Sequence, residues 1–363
     1  MLIDLIAGAR PNFVKIASII KSLNKIDYVD INFRLIHTGQ HYDKNMSDIF
    51  FKQLNIPEPD FNFNAGSGSH SEQTSKIMIS YENLLKSSPS NLCIVVGDVN
   101  STMACSIVAK KAHIKLAHIE AGIRSKDLKM PEEINRIVTD SITDFFFTTS
   151  RLASNNLLKL GVDKKSIFFV GNTMIDTLIS LENKFKKPVF WEKANLEKNK
   201  YLVLTIHRPS NVDEESNLYS LINEILENTS NYKILYPVHP RVKKNLEKLN
   251  INNDRLILTE PIPYLEFNYL VKNSFAVITD SGGITEETTV LGIPCITLRN
   301  STERPETVNI GTNELVGTDP KSIRLYLNKL FSGNWKKGKI PELWDGNASD
   351  RIVKIIINEI LFV

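Results

Sequence analysis

Acids, histidines and cations recur at one kind of place in this chain, directly after a short apolar run. Leu5-Ile6 leads into Gly8-Ala9-Arg10-Pro11, Val95-Val96 into Gly97-Asp98-Val99-Asn100-Ser101-Thr102, and His118-Ile119 into Glu120-Ala121-Gly122. Later, Leu204-Thr205-Ile206 leads into His207-Arg208, Pro237-Val238 into His239-Pro240, and Ile278-Thr279 into Asp280-Ser281-Gly282-Gly283. Asp98, Glu120 and the pair Glu132-Glu133 are candidate acids and bases, and His207 supplies a third type. A carboxyl group in a cleft is tuned towards neutral pH by burial or by a nearby like charge. Arg10 and Lys15 lie at and just inside the start of a helical pattern, where N–H groups already favour an anion. Ser281-Gly282-Gly283 opens another such pattern, containing Glu286 and Glu287, and its small residues let the backbone approach a phosphate closely.

Each residue alone also has a structural reading. Asp98 can cap the helix that begins near Ser101, Glu132-Glu133 can favour a first helical turn, and His118 and His239 can be satisfied structural histidines. At successive strand ends the set points instead to a shared site. In open α/β sheets ligands bind outside the carboxyl ends of the strands.

The elements that must hold these residues alternate along all 363 residues. Strands are expected at 2–6, 33–36, 92–96, 116–119, 145–147 and 167–170, then at 201–206, 233–238, 256–258, 275–279 and 295–298. Helical patterns lie between them. In the clearest, after Pro11, the residues Phe13, Ile16, Ala17, Ile20 and Leu23 share one face. Strands apolar throughout and separated by helices imply parallel sheets covered on both faces. The pattern restarts after a Lys-rich stretch from 182 to 200 that reads as a helix tail and linker. The expectation is therefore an α/β protein of two similar-sized halves. A last amphipathic segment, about 350–363, can pack on either half, and in two-lobed proteins such a segment often crosses back onto the first.

Composition narrows the function. Lys and Arg number 44 against 41 Asp and Glu, a net charge of +3, so a broad basic face for nucleic acid is not expected. Cys93, Cys105 and Cys295 form no CxxC pair and read as buried thiols in a reducing compartment. The first residues lack the basic and long apolar regions of a secretion signal, and no apolar run is long enough for a membrane span. A cytoplasmic protein is the expectation. No Walker sequence, G-x-G-x-x-G or G-x-S-x-G occurs. His113, His118 and His207 have no partner at metal-ligand spacing, so no metal is expected.

The chain resembles the non-hydrolysing UDP-N-acetylglucosamine 2-epimerases. The matching segments run in order from Gly8-Ala9-Arg10-Pro11-Asn12-Phe13-Val14-Lys15 and His37-Thr38-Gly39-Gln40-His41 through Gly97–Thr102. They continue with His118-Ile119-Glu120-Ala121-Gly122-Ile123-Arg124 and Met130-Pro131-Glu132-Glu133-Ile134-Asn135-Arg136. Gly171-Asn172-Thr173, Thr205-Ile206-His207-Arg208, Asp280–Gly283 with Glu286-Glu287, and Thr302-Glu303-Arg304-Pro305-Glu306 complete the series, which spans roughly residues 1–310.

The resemblance implies a glycosyltransferase-B-like pair of Rossmann-like α/β domains, at 1–172 and 173–349, the active site in the cleft between them, and a homodimer. It implies reversible inversion at C2 of UDP-GlcNAc to UDP-ManNAc, through elimination of UDP to 2-acetamidoglucal and its re-addition, for supply of surface polysaccharide precursors. That route needs proton transfer near C2 and cations for the departing diphosphate, with no cofactor. By the same resemblance Asp98, Glu120, Glu132 and His207 are catalytic. Arg10, Lys15, Arg136, Arg208, Ser281, Gly282 and Gly283 would hold the substrate or its diphosphate, and Glu287 the ribose. A second, activating nucleotide-sugar site would involve Gln40, His41 and His239. Ala9, Asn12-Phe13 and the short approach to Glu132 are shared with epimerases of other UDP-2-acetamido sugars, such as UDP-2,3-diacetamido-glucuronate. That substrate stays open, as does a glycosyltransferase of the same fold.

Overall fold

The structure is a computed structural model. It describes residues 1–26, 30–39, 44–229, 231–249 and 251–360; the side chains of 44–48, 240 and 241 also lie outside the description. The chain divides into two compact units, Met1–Ser180 with Glu342–Val363, and Leu181–Pro341.

The first unit is built on β1 (Leu2–Ala7), β2 (Asn32–His37), β3 (Phe61–Asn62), β4 (Leu92–Val96), β5 (Lys115–Ile119), β6 (Phe145–Thr148) and β7 (Ile167–Phe169). All pairings are parallel, in the order β3-β2-β1-β4-β5-β6-β7. Every residue of β4 is buried, as an unbroken apolar run requires when helices cover both faces. The second unit carries β8 (Tyr201–Thr205), β9 (Lys233–Pro237), β10 (Leu256–Thr259), β11 (Ala276–Thr279), β12 (Cys295–Thr297) and β13 (Asn313–Leu315). They are again parallel, in the order β10-β9-β8-β11-β12-β13. The three cysteines are buried thiols. Among the described residues no helix is long and apolar enough to cross a membrane.

Because each sheet is parallel, all its carboxyl ends lie along one edge. Strand order reverses between β1 and β4 in the first sheet and between β8 and β11 in the second. Loops leaving neighbouring strands in opposite directions part there and open a crevice. The loops beginning at Gly8, Gly97, His207 and Asp280 flank these two points.

Two departures from sequence expectation have physical causes. The Lys-rich stretch before β8 is more than a linker, because Trp191 and Leu196 are buried in the second unit's core. The Trp191 ring meets Tyr201 and Tyr269 edge-on, at 5.6 Å in each case. Helix Arg10–Leu23 is buried well beyond one stripe, Ile19 included, because the returning C-terminal segment covers its outer side. Ser349 Oγ lies 2.7 Å from Ser18 Oγ, and Ser22 Oγ donates to Asp350 Oδ1 at 2.5 Å. Asp176 caps that segment, accepting from the N–H groups of Ala348 at 3.1 Å and Ser349 at 2.6 Å.

Removal of the Trp191 ring should open a cavity in the second unit. Trp191→Ala is expected to lower unfolding stability by about 3–5 kcal/mol, read as a fall in the urea midpoint. An unchanged midpoint would return residues 182–200 to the status of a passive linker.

Candidate active site

At the first switch point the loop after β1 is shaped by Asn12. Its Oδ1 accepts from the N–H groups of Gly8 at 3.1 Å and Ala9 at 3.0 Å, while Nδ2 donates to Val96 O at 3.0 Å. One side chain thus fastens the start of helix Arg10–Leu23 to the end of β4. Arg10 is exposed at the first position of that helix. One turn on, Lys15 points inward and its Nζ donates to Glu120 Oε2 at 2.6 Å, both residues being buried. Breaking such a pair on one side costs about 3–5 kcal/mol, because a buried charge is stranded.

Glu120 follows β5 with φ of +72°, a left-handed backbone conformation that a residue with a side chain rarely adopts. Such a conformation persists only where surrounding contacts fix it, here the ion pair and the Glu120 N–H donating to Phe147 O at 3.0 Å. Gly97, after β4, has φ of +70°, and an added Cβ would sit 3.4 Å from Lys15 Nζ. Glycine therefore permits the turn that brings the backbone alongside the ammonium.

Asp98 follows. Its Oδ2 accepts from Arg136 Nη2 at 2.5 Å and Nε at 3.0 Å, while Arg136 Nη1 donates to Glu133 Oε2 at 2.8 Å. Glu133 is in turn fixed by the N–H groups of Ser125 and Lys126 at 2.9 and 3.0 Å. Burial raises the Glu133 pKa, but these N–H groups and Arg136 outweigh it and leave the carboxyl below its ordinary range. Arg136 is itself buried, whereas the Asp98 carboxylate is 29% exposed. Glu132 is half-buried on the first turn of helix Pro131–Ile142, with no hydrogen bond or ion pair among the described residues. It precedes Arg136 by four residues and so shares its helix face.

In the second unit Asp280, wholly buried at the end of β11, organises the loop after β8. Its carboxylate accepts from the backbone N–H of His207 at 2.9 Å and of Arg208 at 2.8 Å, and from Asn211 Nδ2 at 3.0 Å. The His207 Nδ1 lies 3.0 Å away. Burial pushes the Asp280 pKa up, but the His207 ring, Asn211 and the Arg208 N–H prevail and hold it below the ordinary value. His207 is left 42% exposed, its Nε2 on the side away from Asp280. Its ring lies 5.5 Å from that of His239, an exposed residue after β9. Arg208 Nε donates to Asp280 O at 3.0 Å.

Ser281 precedes helix Gly282–Leu291 without capping it through its side chain, so the first N–H groups of that helix have no acceptor within it. A Cβ on Gly282 would come within 3.2 Å of Glu303 Oε1, and Glu303 pairs with the buried Arg299 at 2.6 Å. Glu287, on the same helix, is buried and accepts from Tyr264 Oη at 3.0 Å. Burial, with Glu286 adding a like charge, raises its pKa to about 7. Glu286 itself is matched by Arg304 at 2.5 Å.

Within the first unit, Lys15 joins Glu120, and Arg136 joins Asp98 on the helix that carries Glu132. Within the second, His207, Arg208 and Ser281 share the Asp280 turn. Arg136, expected to hold substrate, has three nitrogens turned onto Asp98 and Glu133. Gln40 and His41 lie outside the described residues. Tyr264 is not singled out by the sequence; Asp280 is noted there only as the acid opening the segment Asp280–Gly283, and Glu133 only beside Glu132 as a candidate acid or base.

A family model described as "UDP-N-acetylglucosamine 2-epimerase" matches residues 24–357. The chain belongs to that family. The UDP-N-acetylglucosamine 2-epimerase of Methanocaldococcus jannaschii is 41% identical over 98% of this chain and 99% of its own length. The crystal structure of the M. jannaschii UDP-GlcNAc 2-epimerase in complex with UDP-GlcNAc and UDP has a TM-score of 0.88 at 40% identity, covering 98% and 99% of the two chains. A Pseudomonas aeruginosa UDP-2,3-diacetamido-2,3-dideoxy-D-glucuronate 2-epimerase is 37% identical over 94% of this chain and 99% of its own. These epimerases match this chain nearly end to end, so both units described above are part of what the family shares.

The Glu287 environment makes a stability prediction for this epimerase-family chain. A carboxyl group at about 7 when folded and 4.5 in its ordinary state binds more protons folded than unfolded between those values. Stability from this group must then fall as pH rises from about 4.5 to about 7 and level off above. Glu287→Gln is expected to remove that slope, so the variant gains on wild type between pH 5 and pH 8 in thermal midpoint. A difference constant across that range would rule the assignment out.

Proposed function

We propose that this chain is a non-hydrolysing 2-epimerase that interconverts UDP-GlcNAc and UDP-ManNAc. The observation that carries the reading is the set of carboxylates after β4 and β5 and on helix Pro131–Ile142. Asp98 and Glu120 are each tied to a buried cation, and Glu132 has no ion pair or hydrogen bond among the described residues. Inversion at C2 requires a proton to leave one face of the sugar and another to arrive on the opposite face. A single group on one face cannot do both, so several acids around one carbon suit the task.

In the proposed reaction a carboxylate takes the C2 proton. The C2–H electron pair becomes the C1=C2 double bond, and the C1–O bond breaks with its pair leaving on UDP. Re-addition reverses these steps, with the proton delivered to the other face of C2. Electrons and atoms balance without an external oxidant. The departing diphosphate carries negative charge that the N-terminal N–H groups of helix Gly282–Leu291, with Ser281 and Arg208, are suited to accept. Arg10 and Lys15 are further cations for substrate binding, Glu287 is suited to accept from ribose hydroxyls, and His207, steadied by Asp280, is a further proton-transfer group. The finer parts of the proposal are a homodimer in the cytoplasm that supplies a surface polysaccharide precursor, and a second nucleotide-sugar site involving Gln40, His41 and His239.

Incubation with UDP-GlcNAc in deuterium oxide, followed by proton NMR, tests the reading. Deuterium at C2 and a growing UDP-ManNAc signal are expected, with little unbound sugar. Absence of C2 exchange would overturn the proposal, and early release of ManNAc would indicate a hydrolysing enzyme. Asp98→Asn and Glu120→Gln should each lower the exchange rate about 100- to 10,000-fold. In Asp98→Asn, UDP binding measured by calorimetry should persist.

The Pseudomonas relative, at 37% identity, supports a second substrate reading. Parallel assays with UDP-GlcNAc and UDP-2,3-diacetamido-glucuronate decide between them by kcat/KM, the higher value naming the substrate.

A further inference from the structure

Beneath the candidate carboxylates lies a buried pair that the reaction as written does not use. His118 is fully buried in β5 and Asp140 lies in helix Pro131–Ile142. The His118 Nε2 donates to Gly97 O at 2.8 Å, and its Nδ1 lies 2.7 Å from Asp140 Oδ1. The second Asp140 oxygen accepts from the Gly122 N–H at 3.0 Å and from Arg124 Nη1 at 2.6 Å.

These contacts end one residue, two residues or two helical turns from a candidate acid. Gly97 O belongs to the peptide whose nitrogen is that of Asp98. The Gly97 N–H is taken by Ile119 O at 3.0 Å, so both polar groups of Gly97 are gripped from β5. Gly122 stands two residues after Glu120. Asp140 is one turn after Arg136 and two after Glu132. The linked residues are also those with unusual backbone: Gly97, Glu120 and Gly122 have φ of +70°, +72° and +77°. Glycine takes that region freely, so Glu120 is the residue whose conformation depends on the contacts around it.

We propose that His118 and Asp140 are positioning residues that set the spacing of Asp98, Glu120 and Glu132 by joining the loop after β4, the loop after β5 and helix Pro131–Ile142. This rests on the epimerase reading above. Neither side chain touches the sugar; their effect on the reaction passes through the Gly97 peptide and the helix. Displacement of a reacting group by about 1 Å costs on the order of 100-fold in rate while leaving remote binding contacts in place.

Two substitutions separate the two ends of the histidine. His118→Gln carries an amide nitrogen near the Nε2 position and retains a donor for Gly97. His118→Asn carries one near the Nδ1 position, retains a donor for Asp140 and abandons Gly97. His118→Asn is expected to lower kcat for epimerisation about 10- to 100-fold. Its KM for UDP-GlcNAc and its affinity for UDP should remain near wild type. His118→Gln, which keeps the Gly97 contact beside Asp98 and gives up only Asp140, should lose clearly less kcat than His118→Asn. Equal kcat losses in the two variants, or a rise in KM with kcat intact, would overturn the positioning role. If His118→Asn fails to fold by circular dichroism, Asp140→Asn carries the test: a lower kcat at constant KM supports the role, and an unchanged kcat overturns it. Wild type assayed alongside keeps the two ideas apart. No C2 deuteration in wild type defeats the epimerase reading, whereas deuteration in wild type with Gln and Asn equally impaired defeats only the positioning.

Discussion

A carboxylate withdrawn from water loses hydration worth several kcal/mol, and the protein must return it as opposite charge or N–H donors. That requirement governs both strand-end edges of this molecule. Glu120 is answered by Lys15, Glu133 by Arg136, and Asp140 by His118 and Arg124. In the second unit Asp280 is answered by His207 and three further donors, Glu303 by Arg299 and Glu286 by Arg304. In most of these pairs the two partners come from different segments. Satisfying the charge and fastening the loops are consequently one event, and the loops cannot drift without stranding an ion.

The same pairs are graded by exposure. Lys15 and Glu120 are nearly dry, while Asp98 keeps 29% and His207 42% of its side-chain surface in contact with solvent although each partner is buried. A group anchored on one side and open on the other is oriented yet still able to meet a ligand. In a water-poor setting such fixed charges need little reorganisation as a reaction proceeds, which is where most electrostatic catalysis resides. Exposure thus separates Asp98 and His207, open to a ligand, from the buried Arg136 and Asp280 that orient them.

Much of this was legible in the sequence. Eleven of the strands were expected within a few residues, because a parallel sheet covered on both faces writes itself as unbroken apolar runs. β3 and β13 escaped notice. Each is an edge strand of two or three residues, and Phe61-Asn62 and Asn313-Glu314-Leu315 contain too little apolar sequence to announce one. The chemical residue types after each strand were legible for the same reason the strands were. The pairings were not. Whether Arg136 faces a ligand or faces Asp98 depends on which strands lie side by side, and spacing along the chain carries no information about sheet order. Trp191 shows the complementary failure: one ring in a polar stretch buries a segment that composition assigns to solvent.

Two buried glutamates show how neighbours divide labour between groups of one type. Glu120 has an ammonium at 2.6 Å, so its negative charge is compensated on the spot. Glu287 has a phenol at 3.0 Å and a second glutamate as its chain neighbour, and its carboxyl is pushed up to about 7. A carboxylate paired with an ammonium is fixed in place by it. A carboxyl group poised near neutrality gains most when a ligand's hydroxyls arrive, because two donors would replace the charge partner it lacks and stabilise its ionised form. The first arrangement fixes a carboxylate in place beside a cation, and the second leaves a carboxyl group that hydroxyl donors can stabilise. The difference between them is written in the residue opposite each acid, lysine in one case and tyrosine in the other, rather than in the acid itself.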